Sequence, residues 1–323
     1  MGVRVVAIVL MATAGGVQVF DQDHPVVEIS YRPPASDSKN CTPLLLLGGM
    51  GPLAGAQALE RALATLRAKM DAGESQDRDV ILLQATCIPD RTSAIVASGM
   101  SLDLTASPSD LHSAGQACTT HEECVQVSHT IACSLAAAEA LLPWEAEAAD
   151  LVVTCNTAHF FTPAALDMLR EDRPTAAARF SQHSLIEGAT AAAVAAVGGS
   201  GGGAFIMASS GTLMTGLYSF GLDQEGIKSL VPPTPKLQAG VMGAINSVKG
   251  ADTAAVVAHA TPLFQALREL EAGPPAAVIA GCTEDQQILA TLRTHEDVPK
   301  EVRDFVSSLQ VIEPVEAVFN KVV

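Results

Sequence analysis

Residues 42–70 read TPLLLLGGMGPLAGAQALERALATLRAKM. Four consecutive leucines, Leu44 to Leu47, run into Gly48-Gly49-Met50-Gly51-Pro52, and a helical pattern follows as far as Met70. An apolar strand without polar alternation is one covered on both faces, as in a parallel sheet. Strand, glycine turn and helix in that order open an α/β unit. The same grammar recurs down the chain. ILLQATC (81–87) reads as a strand leading into Ile88-Pro89-Asp90-Arg91-Thr92, and DLVVT (150–154) as a strand ending on Cys155-Asn156-Thr157-Ala158-His159. The second half has an alanine-rich helix over 186–197 and a flexible GGSGGG (198–203). Strand AFIMAS (204–209) meets the turn Ser210-Gly211-Thr212, and AAVIA (276–280) runs into Gly281-Cys282-Thr283-Glu284.

Each half thus carries a strand that ends in a glycine turn, then a later strand that ends in a cysteine. The predicted fold is α/β with two pseudo-symmetric lobes, each a mostly parallel sheet with flanking helices. The active site is expected in the cleft between them, at the strand C-termini where open α/β sheets bind ligands. The expected boundaries are an N-terminal extension over 1–41, a first lobe of 42–171 plus 304–323, and a second lobe of 172–303. From Gly48 to Cys155 is 107 residues and from Gly211 to Cys282 is 71. The excess is matched by 98–133, read as a polar loop inserted in the first lobe.

At 323 residues and 48% hydrophobic, the chain can bury ample core, which excludes wholesale disorder. Its 19 Lys and Arg against 35 Asp and Glu give a net charge of −16. Nucleic acid is therefore excluded as a partner, because such binders need basic residues to displace counterions. A small ligand is the expected partner. Seven cysteines, an odd number spread over a long chain, make a poor disulfide framework, so reduced thiols are expected. That favours an intracellular setting, cytoplasm or plastid, although the sequence does not fix the compartment. VVAIVLMATA (5–14) is too short to span a bilayer and reads as a strand, with a signal-peptide core as the alternative. No other segment looks membrane-spanning, and no membrane partner is expected.

Cys155 and Cys282 each follow an apolar strand and precede a helix start. There the backbone N–H groups and the helix dipole favour a thiolate, so both thiols are expected to have depressed pKa values. Asn156, Thr157 and Thr283, next to them, supply amide, hydroxyl and backbone donors suited to a carboxylate. Two such thiols can divide acid and base work on one carbon. Free cysteine is most often a small buried apolar residue. Two in matched contexts with adjacent threonines outweigh that reading.

The motifs GGMGPLA (48–54), IPDRT (88–92), CNTAHFF (155–161), SSGTLMTGLY (209–218) and GCTE (281–284) resemble the aspartate/glutamate racemase superfamily, in that family's order, over residues 44–323. The resemblance implies a cofactor-independent enzyme with no pyridoxal phosphate and no metal, acting on a small carboxylate substrate as a homodimer or tetramer. It makes Cys155 and Cys282 the catalytic acid/base pair. Asn156, Thr157, Thr283, Thr212 and the Met50 backbone become carboxylate binders, Arg91 pairs with a substrate carboxylate, and Lys249 of INSVKG matches a lysine of the racemase pattern. Three departures shift the expected chemistry. Ala85-Thr86-Cys87 stands where such racemases carry Asn-Pro-Gln, about 43 residues precede the core, and 98–133 is extra. The superfamily also contains longer algal dimethylsulfoniopropionate (DMSP) lyases, whose sulfonium substrate has no N–H donors for an asparagine to hold. The leading expectation is therefore a carbon–sulfur lyase that removes the α-proton of DMSP and expels dimethyl sulfide, leaving acrylate. Amino-acid racemisation by the same two cysteines is the alternative.

Other signals carry less. His112, Cys118, His121, Cys124, His129 and Cys133 lie in 98–133. The spacing C-x5-C-x8-C lacks the paired clip of a structural zinc site, so no metal site is assigned. GGSGGG lacks the Lys-Ser/Thr ending of a P-loop. His159 either tunes Cys155 or packs, and Glu284 either orients Cys282 or caps its helix. A non-catalytic two-lobed binding protein would need the donors but not the thiol pair.

Overall fold

The computed structural model describes residues 5–13, 16–18, 42–71, 78–142, 146–198, 202–270 and 273–322. Cys41, most of the 1–41 extension and the centre of the GGSGGG run lie outside them.

In chain order the elements are β1 (Val5–Thr13), β2 (Gly16–Gln18), β3 (Leu44–Gly48), α1 (Pro52–Asp71), β4 (Val80–Ala85), α2 (Arg91–Ala97), α3 (Pro108–Cys118), α4 (Glu122–Glu139) and β5 (Ala149–Val153). A 3-10 turn (Thr157–Phe160) leads to α5 (Thr162–Asp172), α6 (Pro174–Ala178), β6 (Phe180–Gln182) and α7 (Leu185–Val197). Then come β7 (Ala204–Met207), α8 (Ser210–Met214), α9 (Leu217–Gln224), β8 (Ser229–Leu230), α10 (Pro235–Lys249) and α11 (Thr253–Arg268). The chain closes with β9 (Ala277–Ala280), α12 (Asp285–Thr294), α13 (Lys300–Ser308), β10 (Gln310–Ile312) and α14 (Pro314–Val322).

The strands form two sheets, ordered β2-β1-β4-β3-β5-β6 and β10-β9-β7-β8. All pairings are parallel except the β1–β2 hairpin. The fold is α/β, and the repeat predicted from sequence is visible in the strand order. Reading β4-β3-β5-β6 against β8-β7-β9-β10, the glycine-turn strands β3 and β7 are both internal, and each is flanked by a cysteine strand, β5 or β9. Leu44 to Leu47 are fully buried, as are Ala204 to Met207 and Ala277 to Ile279. This is the burial expected of parallel strands covered on both faces.

The chain divides into two compact units: Met1–Asp90, Glu122–Leu185 and Val318–Val323 in one, Arg91–His121 and Ile186–Ala317 in the other. The strand read at the N-terminus is real, since β1 pairs in parallel with β4 from Val5↔Val80 to Leu10↔Ala85. The predicted extension thus adds two strands, β1 and β2, to the first sheet.

From Pro108 on, the segment 98–133 is mostly helical rather than a polar loop. Ser107 caps α3 by accepting the Asp110 N–H at 3.1 Å, with Pro108 in the first turn. On α4 the buried residues Cys124, Val127, Ser128, Ile131, Leu135 and Ala138 form one helical stripe. The segment is also shared, with α3 in the second unit and α4 in the first. α2 packs on α8 and α3 on α9, where His112 stacks on Phe220 with ring centroids 4.1 Å apart. The expectation of wholly reduced thiols is corrected as well. Cys118, which closes α3, and Cys124, in the first turn of α4, are disulfide-bonded, whereas Cys87, Cys133, Cys155 and Cys282 are free. Among the described residues no group of three or more His, Cys, Asp or Glu is placed to hold a metal ion, and no helix is long and apolar enough to cross a membrane.

Candidate active site

Each cysteine sits two residues beyond the end of its strand, in the same backbone frame. In the first unit the Thr154 N–H donates to the Leu47 carbonyl at 2.9 Å, and the Ala158 N–H closes back on the Cys155 carbonyl at 3.1 Å. In the second, the Gly281 N–H donates to the Met207 carbonyl at 2.7 Å and the Asp285 N–H to the Cys282 carbonyl at 3.1 Å. Both thiols are half-buried.

Around Cys155, Asn156 and Thr157 are buried to 4% and 7% exposure. The 3-10 turn is pinned from below by His159, whose Nε2–H donates to the Val153 carbonyl at 2.9 Å. Burial lowers the His159 pKa to about 4, against the smaller opposing effect of the Val153 bond, so the ring is neutral. Its ring ties the turn to β5, which is the packing role of the two read from sequence. The glycine turn after β3 is equally determined. Gly49 has φ +91°, and a Cβ there would lie 2.4 Å from the Ala85 amide nitrogen. Only glycine meets both demands. The half-buried Met50 follows it in the turn. Gln84, 9% exposed, lays its amide over Gly48 and Gly55, where added Cβ atoms would meet Oε1 at 2.5 Å.

The surroundings of Cys282 differ. Its thiol donates to Glu284 Oε2 at 2.8 Å, and the Thr283 hydroxyl donates to the same oxygen at 3.1 Å. Lys249, the last residue of α10, places Nζ 3.7 Å from Glu284 Oε1. Glu284 makes no capping bond with its side chain, so of its two expected roles it takes that of orienting Cys282. The carboxyl of Asp285, fully buried, accepts the Cys282 N–H at 2.8 Å. Burial first, then the carboxyls of Asp285 and Glu284, push the Cys282 thiol well above its usual range. The depressed pKa expected for Cys282 from the helix N-terminus is therefore corrected: two acidic neighbours and desolvation outweigh the dipole, and Cys282 rests as a thiol. Burial likewise raises the Asp285 carboxyl.

Thr212, 2% exposed, lies in α8, where Ser209 caps the helix by accepting the Thr212 N–H at 3.3 Å. This turn is held by α10. Gln238 Nε2 donates to the Ala208 carbonyl at 3.1 Å and to Ser210 Oγ at 3.2 Å, while the Ser210 N–H reaches Met242 Sδ at 3.3 Å. Gln238, Met242 and Lys249 share one stripe of α10, so one helix face serves both the Thr212 turn and the Glu284 carboxylate. Arg91 opens α2, half-buried. A cation there runs against the helix dipole. Lys249, Glu284, Thr283 and Cys282 are brought together within the second unit, and Asn156 and Thr157 flank Cys155 within the first. Sequence reasoning missed Asp285, Gln238 and Met242. The first is legible as an acidic residue three positions after the cysteine, but the other two lie 28 to 32 residues from what they hold.

No protein-family model matches the sequence. The fold is that of a solved aspartate racemase from Picrophilus torridus, at TM-score 0.54 and 18% identity over 86% of this chain and 91% of that one. A glutamate racemase isoform from Bacillus anthracis is similar at TM-score 0.46 and 18% identity, over 88% and 80% of the two chains, too distant to add to the argument.

Proposed function

We propose that the protein is a cofactor-independent amino-acid racemase of the aspartate/glutamate type, working with Cys155 and Cys282 as its acid/base pair. The observation that carries this reading is the matched pair of cysteine turns, each with the same two backbone bonds at the end of an equivalent strand. Two half-buried thiols at matching strand ends are what an acid/base pair requires. The fold neighbour from Picrophilus torridus, an aspartate racemase, supports the same chemistry and moves racemisation ahead of elimination.

In this mechanism Cys155, acting as thiolate, takes the α-proton of the bound amino acid. Cys282, which rests as a thiol on Glu284, gives its proton to the same carbon. One proton leaves and one arrives, so the product is the enantiomer and the thiolate has moved from Cys155 to Cys282; the enantiomer is processed in reverse. Lys249 offsets the charge that builds up beside Glu284 when Cys282 loses its proton. Asn156, Thr157, Thr212, Thr283 and the Met50 backbone serve the carboxylate as donors, with Arg91 for a side-chain carboxylate. A proton next to a carboxylate is very weakly acidic, so these donors supply much of the rate through electrostatic stabilisation.

Elimination from DMSP is the second reading, favoured by Ala85, which places a methyl where the resembling racemases carry an asparagine. The test is incubation of the reduced enzyme separately with L-aspartate, L-glutamate and DMSP. Chiral chromatography then follows the amino acids, and headspace analysis follows dimethyl sulfide. D-amino acid without dimethyl sulfide is the expected result; dimethyl sulfide alone would replace it with the lyase.

A further inference from the structure

We infer that Asp285 is a positioning residue for Cys282, gripping the cysteine's backbone so that its thiol is held in register while the Cys155 turn goes without such a grip. The inference rests on the reading of Cys282 as a catalytic thiol.

The two turns provide an internal comparison. Position 285 corresponds to position 158, because both send their N–H to the carbonyl of the cysteine three residues earlier, at 3.1 Å in each case. In the first turn this position is Ala158, fully buried. The frame therefore forms with a methyl group there and does not need a carboxyl to fold. In the second turn Asp285 adds a reciprocal bond, its Oδ2 accepting the Cys282 N–H at 2.8 Å. Cys282 is then held at both its N–H and its C=O by one residue. The bond is of the capping-box kind, in which a residue three positions on accepts the N–H of the residue that leads into the helix; here the residue it holds is the cysteine itself.

The cost of this arrangement is visible. Asp285 has no exposed surface, and its second oxygen, Oδ1, is buried without a hydrogen-bond partner. Leaving a buried acceptor unsatisfied is unfavourable. A buried polar group left unsatisfied calls for a role that offsets its cost. What it serves is the direction of the Cys282 side chain, whose thiol must stay aligned on Glu284 Oε2, 2.8 Å away.

The test compares Asp285→Ala with Asp285→Asn. The asparagine carbonyl still accepts the Cys282 N–H, whereas alanine copies the Cys155 turn. Turnover, melting temperature and the rate of iodoacetamide labelling at Cys282 and Cys155, resolved by peptide mass spectrometry, are measured for each. For Asp285→Ala we expect kcat to fall at least about tenfold with KM nearly unchanged, as for a small misplacement of a reacting group. Labelling of Cys282 should change while that of Cys155 and the melting temperature do not. Asp285→Asn should retain kcat to within about threefold, since it keeps the acceptor. Normal kcat and unchanged Cys282 labelling in Asp285→Ala would overturn the inference. So would an Asp285→Asn variant that folds yet is as impaired as Asp285→Ala, because the acceptor would then not be what matters. If the unmodified enzyme turns over neither amino acids nor DMSP, the functional reading fails on its own, and the labelling rates still decide the role of Asp285.

Discussion

At the level of single residues, the two thiols sit in equivalent backbone frames but among different neighbours. Cys282 has Glu284, Asp285 and Lys249, and Cys155 has the neutral His159 below its turn. Serine at either cysteine should reduce turnover to background while leaving the circular dichroism spectrum and melting temperature unchanged; substantial residual activity in either variant would exclude a two-thiol mechanism. His159 makes a prediction about stability. Its pKa falls from 6.5 to about 4 on folding, so between those values the unfolded chain binds a proton that the folded chain does not. Stability is then fully present above pH 6.5 and is lost as pH falls toward 4. Urea titrations at pH 7.5 and pH 5 should differ by about 2 kcal/mol from this residue alone, and His159→Gln should remove that share. At Gly49, with φ +91° and the Ala85 backbone where a Cβ would go, alanine should cost about 2 kcal/mol or more in the same assay. The residues proposed to carry the chemistry stand out in the sequence because cysteine, threonine and glycine at strand ends are an unusual combination. Their charge state was not. The helix dipole argues for a thiolate at Cys282, and only the fold shows Glu284 and Asp285 turned onto that cysteine.

Among the elements, the long apolar strands were read to within a few residues, whereas the short strands β2, β6, β8 and β10 were not read at all. Runs such as Leu44–Leu47 and Ala277–Ala280 are apolar throughout and are bounded by glycine or proline. The helices of 98–133 were not seen, and the reason is specific. The stretch opens with Ser, Asp, Thr and Pro, which mimic a loop, and α3 buries little apolar side-chain surface beyond Cys118. The signal for α4 was present in the 124–127–131–135–138 spacing but was masked by its cysteines and histidines, which invited a metal or redox reading. If α4 is a core helix, Ile131→Ala should destabilise the protein by about 2–4 kcal/mol in urea titration; a change of under about 0.5 kcal/mol is what a surface loop would give. The role of α10 was also hidden. A polar glutamine in an ordinary amphipathic helix gives no hint that it holds a turn some 30 residues upstream.

For the whole molecule, the repeated strand order β4-β3-β5-β6 and β8-β7-β9-β10 accounts for why one sequence pattern occurs twice at different spacing. A duplicated scaffold keeps its sheets and its cysteine turns, and tolerates added helices and an added N-terminal hairpin between and beside them. On the proposed reading, the duplication supplies what racemisation demands, namely two similar groups able to exchange roles as acid and base. The most direct test is a proton NMR time course in D2O with reduced enzyme and L-aspartate or L-glutamate, run beside the Cys155→Ser and Cys282→Ser variants. The account predicts loss of the amino acid's α-proton signal with no vinyl product, and no loss with either variant. An α-proton signal that persists with the intact enzyme, or that disappears equally fast with a serine variant, would contradict it.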